Sequence, residues 1–208
     1  NIVFDNNGFP AFDVYKKDKF FERIQLKIPG MHNVLNSLAC IALCDYYGIN
    51  SNYIKSALQK FTGAHRRFEY KGTVNNATVF DDYGHHPTEI IATAKALMNK
   101  KYNKSWVVFQ PHTYSRTKTL LNDFAKALLN FDNIIITDIY AARETNRYGI
   151  SSQDLVDKIN SLGKNAIYVK DFTDIINYLK SNIKDNDIVL TLGAGTVTQI
   201  SDQIVEGN

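Results

Sequence analysis

From residue 68 onward, strand-like and helix-like segments alternate to the end of the chain, and this alternation restricts the fold more than any other feature. Two strands, Phe68 to Val74 and Thr78 to Asp82, meet at an Asn75-Asn76 turn. A helix follows from about Thr88 to Lys101, then strand Trp106 to Gln110, helix Lys118 to Phe131 and strand Asn133 to Asp138. The pattern continues with helix Ser152 to Leu162, strand Ala166 to Val169, helix Thr173 to Ile183, strand Asp187 to Leu192 and helix Thr196 to Val205. Strand-helix units of this length require right-handed parallel crossovers. The predicted fold class is therefore α/β, a Rossmann-like open and mostly parallel sheet with helices on both faces.

The first third reads differently. Short strands over Ile2 to Phe4, Ala11 to Tyr15 and Glu22 to Ile28 are separated by an Asp5 to Gly8 turn and a Lys-Lys-Asp-Lys turn. Apolar residues Val34, Leu35, Leu38, Ala39, Ile41, Ala42 and Leu43 recur at helical spacing and Gly48 stops them, which predicts a buried helix. Ser51 is placed to cap a second helix carrying Ile54, Ala57, Leu58 and Phe61. The Gly63 to Phe68 segment has no apolar period and marks a boundary, giving domains 1–66 and 67–208. The chain has 208 residues, room for one domain of about 100 to 150 residues and part of another. It opens at Asn1 directly into strand-like sequence, which reads as the continuation of a longer protein.

Several classes are disfavoured. The formal net charge is only +3 and its Lys and Arg residues are dispersed, so no nucleic-acid stripe forms. No apolar run approaches the roughly 20 residues of a membrane span, and no leader opens the chain, so neither a membrane nor export is indicated and a cytoplasmic location is expected. Cys40 and Cys44, four apart on the predicted helix, read as small core residues in a reducing compartment.

Ligands of such sheets bind beyond the carboxyl ends of the strands, which selects four loops. The first, Asp81-Asp82-Tyr83-Gly84-His85-His86-Pro87-Thr88-Glu89, gathers carboxylates, a phenol and two imidazoles. It is readable as a capping segment opened by Pro87, or as a zinc site of Asp82, His85, His86 and His112, although no helical H-x-x-x-H pair supports a metal. The second, Gln110-Pro111-His112-Thr113-Tyr114-Ser115-Arg116-Thr117, sets His112 and Arg116 near a helix start, where a carboxylate or phosphate is favoured. A structural ion pair is the other reading of Arg116. The third spans Ile139 to Asn146. The last, Gly193-Ala194-Gly195-Thr196, is a partial dinucleotide fingerprint, with Thr198 where a third glycine or alanine belongs. No G-x-x-x-x-G-K-[ST] occurs, so this chain has no P-loop.

These loops, with Gly30-Met31-His32-Asn33-Val34-Leu35-Asn36 and the Arg66-Arg67-Phe68 hinge, resemble the Mur ligase family, in particular its branch that joins L-alanine to UDP-N-acetylmuramate. The resemblance spans nearly the whole chain. It implies the end of a central ATP-binding domain followed by a C-terminal domain, with the upstream domains as the missing partners. It also implies ATP-dependent amide formation through an acyl phosphate, with Mg2+ assisting from ligands mostly upstream, so no metal ligand is assigned here. His32, Asn36, Arg67 and Asp82 would serve ATP, at the adenine, the phosphates and the ribose. Tyr83, His85, His112 and Arg116 would line the amino-acid pocket, Arg116 clamping the carboxylate. No catalytic residue is assigned in this segment, which is expected to be inactive alone. Two departures stand out: Thr113 replaces a second arginine of some members, a gap that Arg143 could fill, and Gly-Ala-Gly-Thr-Val replaces Gly-Ala-Gly-Asp-Ile. A peptide-recycling ligase of the same family, a non-catalytic nucleotide or anion-binding module and a metal-dependent hydrolase are the competing readings.

Overall fold

The computed structural model describes residues 1–5, 8–98 and 100–206, with His32 described by its backbone alone. The Asn6-Asn7 part of the expected first turn lies outside the described residues. The chain divides into two compact units, Asn1–Ala64 and His65–Asn208.

In the first unit, β1 (Ile2–Phe4), β2 (Pro10–Lys16) and β3 (Lys19–Gln25) form an antiparallel sheet. Lys17 and Asp18 both adopt positive φ, as a tight two-residue hairpin turn requires. The third strand therefore starts at the turn, three residues before the expected Glu22. Two helices follow, α1 (Met31–Tyr46) and α2 (Ser51–Lys60). The core consists of Phe12, Val14, Ile24, Leu26, Val34, Ile41 and Ile54. Two expectations fail here. Within this chain, and among the described side chains, helix α1 buries the stripe of Val34, Ser37 and Ile41, while Leu35 and Leu43 are 62% and 59% exposed, so one side of it is covered rather than all. Cys40 shares the exposed side, and only Cys44 packs against the core. The second helix is capped by Asn50, whose side chain accepts from Asn52 N at 2.9 Å, with Ser51 its first helical residue.

The second unit holds a six-stranded sheet in the order β4 (Glu69–Val74), β5 (Ala77–Asp82), β9 (Ile188–Leu192), β6 (Ser105–Phe109), β7 (Asn133–Ile136), β8 (Ala166–Tyr168). Only β4 runs antiparallel to its neighbour. The alternating side chains of the strands feed two cores. Phe80, Val107, Phe109, Ile134 and Leu190 face α3 (Pro87–Met98), α5 (Leu121–Leu128) and α6 (Ser152–Ser161). Val79, Trp106, Val108, Ile135 and Val189 face α7 (Phe172–Asn182) and α8 (Thr198–Glu206). Strands buried on both faces read as continuous apolar runs, which is the pattern of Trp106 to Phe109 and of Ile188 to Leu192.

Two boundaries differ from expectation. The helix placed at Lys118 to Phe131 starts earlier and is broken, as α4 (Tyr114–Thr119) and then α5 after a turn at Leu120. The last helix starts at Thr198 because Thr196 and Val197 form the turn that precedes it. Among the described residues no helix is long and apolar enough to cross a membrane.

Candidate functional site

Strands β5, β6, β7 and β9 run parallel, so their carboxyl ends lie on one edge and bring the four chemistry-bearing loops together. The pairing of β6 with β7 extends past both strands through a parallel bridge of His112 to Tyr140. Tyr140 N donates to Pro111 O at 2.8 Å and Thr113 N donates to Tyr140 O at 2.9 Å. Thr113 then turns into α4 at φ +66, a conformation costly for a β-branched residue and held here by those bonds.

Asp82 is buried, and its oxygens accept from Phe68 N at 2.7 Å, Gly84 N at 2.8 Å and Thr93 Oγ1 at 3.2 Å. Burial pushes its carboxyl above the ordinary carboxylate range, against those hydrogen bonds and the charge of Arg67. Its Oδ2 keeps one acceptor position, so its largest structural task is to hold the loop. Glu89 Oε2 accepts the backbone N–H groups of His85 and His86 at 2.9 and 3.1 Å. Burial alone would raise Glu89, but these bonds and the nearby His85 and Arg67 hold it below the usual range. The capping role expected at the start of α3 is therefore filled by Glu89.

Four rings form a row across three loops. Tyr83 meets His85 edge-on at 5.3 Å, His85 lies 5.6 Å from His112, and His112 stacks on Tyr140 at 5.7 Å. His85 Nδ1 is 3.0 Å from Tyr83 O and 3.5 Å from Glu89 Oε2. Arg116 Nη1 donates to His112 Nδ1 at 3.3 Å. Burial, followed by the charge of Arg116 and that of His85 whenever it is protonated, pushes His112 below the ordinary imidazole value, with Glu144 opposing. The structure brings Tyr83, His85, His112 and Arg116 together as neighbours in the folded unit. Arg116 makes no ion pair among the described residues, which leaves its guanidinium charge without a carboxylate partner.

Other residues were not anticipated from sequence. Glu144 accepts from both Ser115 N (2.9 Å) and Ser115 Oγ, clasping the β7–α6 loop to the start of α4. The Ser115 hydroxyl and N–H hold the Glu144 carboxyl below its usual range. Arg143, the expected second arginine, is exposed. Gln110 accepts Val197 N at 3.0 Å and fills the space beside Gly193 and Gly195. A Cβ on Gly193 would lie 2.7 Å from Gln110 O, and one on Gly195 would fall onto Gln110 Oε1 and 2.6 Å from the Tyr140 ring. These glycines serve close packing within the site edge.

Arg66 is the main omission. It donates from Nε to Asp81 Oδ2 at 2.9 Å, from Nη2 to Gly193 O at 2.5 Å and from Nη1 to Gly195 O at 3.1 Å, while stacking 5.0 Å over Tyr83. Asp81 is fully buried and also accepts from Thr191 Oγ1 at 2.5 Å. Arg66 thus ties the hinge to the last loop, and its neighbour Arg67 is exposed without an ion pair among the described residues. A doublet of arginines before a strand signals two cations; only the buried Asp81 of the folded sheet separates the strut from the exposed one, which lies 5.9 Å over Tyr83.

In the first unit, Asn36 is exposed on α1, and the side chain of His32 lies outside the described residues. The alternative zinc constellation does not assemble: Asp82 is largely engaged by the loop, and His86 Nδ1 turns to Thr88 Oγ1 at 2.9 Å. Among the described residues no three His, Cys, Asp or Glu side chains converge as metal ligands would.

Known proteins resemble this arrangement. Residues 66–195 match the family model described as Mur ligase, glutamate ligase domain. The UDP-N-acetylmuramate–L-alanine ligase of Acetivibrio thermocellus is 48% identical over 99% of this chain and 44% of its own length. That of Caldanaerobacter subterraneus subsp. tengcongensis is 47% identical over 100% of this chain and 45% of its own. The crystal structure of the Thermotoga maritima UDP-N-acetylmuramate-alanine ligase aligns with a TM-score of 0.74 and 32% identity, covering 97% of this chain and 43% of that one. A murein peptide ligase from Psychrobacter arcticus shares the fold, with a TM-score of 0.67 at 21% identity over 99% of this chain and 43% of that one. The chain spans less than half the length of these relatives.

Proposed function

The chain belongs to the Mur ligase family, and from that premise we propose that it is the C-terminal part of a cytoplasmic ligase that joins L-alanine to UDP-N-acetylmuramate. ATP would supply the activation, converting the substrate carboxylate to an acyl phosphate that an amine can attack. On this reading residues 1–66 end the central domain and 67–208 form the C-terminal one. The observation that carries the amino-acid assignment is Arg116 beside His112, within a row of rings and with no carboxylate ion-pair partner among the described residues. A guanidinium so placed recognises a small carboxylate, and a charge-assisted bond contributes about 1.5 to 3 kcal/mol.

The remaining roles follow by residue. Tyr83, His85 and His112 would border the alanine. In the second unit, Arg67 would meet ATP phosphate, supported by its exposure, and Asp82 would offer its one remaining acceptor to the ribose. In the first unit, Asn36 and His32 would serve the adenine, and the exposure of Asn36 on α1 fits that task. The acidic groups near the site are engaged by backbone and hydroxyl donors, so no role toward Mg2+ is given to residues of this chain.

Phosphate release from ATP, measured with UDP-N-acetylmuramate and L-alanine, tests the reading. It compares this chain with a protein carrying it behind the upstream part of its relatives. Turnover is expected only in the longer protein and only with both substrates. In that protein Arg116→Ala should raise the L-alanine KM about 10-fold to 100-fold, as loss of such a bond predicts. Turnover with a peptide instead of L-alanine would reassign the enzyme to peptide recycling. Nucleotide binding with no turnover would leave a binding module.

A further inference from the structure

We infer that His85 and His112 are held in opposite tautomers, so that together they read the two ends of an amino-acid zwitterion, His85 Nε2 taking a proton from the ammonium and His112 Nε2–H donating to the carboxylate. The inference rests on the amino-acid reading of this site and extends it to proton positions.

The partner of each Nδ1 fixes where the ring proton sits. The partner of His85 Nδ1 at 3.0 Å is the Tyr83 carbonyl, which can only accept. In neutral His85 the single ring proton therefore sits on Nδ1, and Nε2 presents its lone pair. The partner of His112 Nδ1 at 3.3 Å is the Arg116 guanidinium, which can only donate. In His112 the lone pair therefore faces Arg116 and the proton is on Nε2. The two ring centroids stand 5.6 Å apart, so an acceptor and a donor are carried on adjacent rings of the row.

The surrounding groups support the division. His85 has Glu89 Oε2 3.5 Å behind Nδ1, placed to stabilise an imidazolium once a proton arrives, and Tyr83 edge-on. His112 faces Arg116 on its own loop, His85 from the β5–α3 loop, and Tyr140 and Glu144 from the β7–α6 loop. A fixed guanidinium beside one imidazole and a carboxylate beside the other separate their roles, as environment separates acid from base in a pair of like groups. The ammonium gives one proton to His85 Nε2, which becomes cationic, and the freed nitrogen lone pair forms the C–N bond to the acyl phosphate carbon. The carbon–oxygen bond to the phosphoryl group breaks, phosphate leaves with that electron pair, and a second nitrogen proton passes to solvent to give the neutral amide.

The test has two arms. On the 208-residue chain labelled with 15N-histidine, long-range proton–nitrogen correlation spectra identify which ring nitrogen carries the proton. His85 should show a protonated Nδ1 and His112 a protonated Nε2; the same tautomer in both overturns the inference whatever the enzyme does. In the longer protein, His85→Gln keeps a polar atom near Nε2 but takes no proton. It should lower kcat about 100-fold or more, the usual share of general base catalysis, with the L-alanine KM within about 3-fold. His112→Gln should do the reverse, raising that KM about 10-fold with kcat near normal, as loss of one hydrogen bond predicts. Equal effects of both variants on kcat and KM would sink the division of roles. A parent protein that ignores L-alanine would overturn the functional reading and the substrate half of this inference, while the spectra would still decide the tautomers.

Discussion

The two units handle their apolar surface in opposite ways. In the second, β6 and β9 are buried along their whole length and helices cover both faces of the sheet. In the first, α1 is also rich in apolar residues yet leaves Met31, Leu35, Leu43 and Tyr46 between 50% and 81% exposed. A helix buries one stripe against a single sheet, and apolar residues beyond that stripe gain nothing unless another layer covers them. Apolar content therefore does not report burial; the number of covering layers does.

The comparison can be broken by substitution, and the largest effect should come from the polar centre of the sealed unit. Asp81→Ala leaves Arg66 without its carboxylate inside the sheet edge, and removing one partner of a buried pair costs about 3 to 5 kcal/mol. Urea unfolding of the second unit should register that loss, and a shift below about 1 kcal/mol would mean that the Gly193 and Gly195 carbonyls suffice for Arg66. Next comes one chemical change made in both units. Leu128→Ala, at a fully buried site, should cost about 2 to 5 kcal/mol. Leu35→Ala, at a site 62% exposed, should stay within about 0.5 kcal/mol. If the two melts move equally, exposure on α1 is not what separates the units. Between those two falls Gly195→Ala, where the new methyl group displaces Gln110 or Tyr140 and costs about 1 to 3 kcal/mol.

The smallest effect is on pH dependence. Because His112 in the folded chain binds a proton less readily than an ordinary imidazole, the unfolded chain takes up the proton first as pH falls. His112 therefore contributes stability above about pH 6.5 that is lost as pH drops through its folded value. The melting temperature of His112→Gln, followed from pH 7.5 to 5, should fall less steeply than the parent's; parallel curves would mean that His112 is not held neutral by burial and Arg116.

Much of the sealed unit could be read directly from residue order. Alternating apolar runs of the right length imply parallel crossovers, and parallel strands must bring their carboxyl ends to one edge, so the loops holding Tyr83, His85, His112 and Arg116 were legible together. Helix boundaries were less so: the break at Leu120 sits inside a continuous apolar period, and Asn50 and Ser51 are both good caps.

The sequence by itself determined the alternation of elements, hence the class of sheet, the edge that carries chemistry and the kinship with the Mur ligases. These follow from local periodicity and short motifs, which depend on near neighbours in the chain. Only the tertiary structure decided that Arg66 rather than Arg67 is the strut, that Glu144 clasps Ser115, that Asp82 is largely occupied and that α1 buries a single stripe. Each of those depends on which groups from distant loops meet at hydrogen-bond distance and on which face lacks a covering layer, and neither is encoded in the spacing of any one segment.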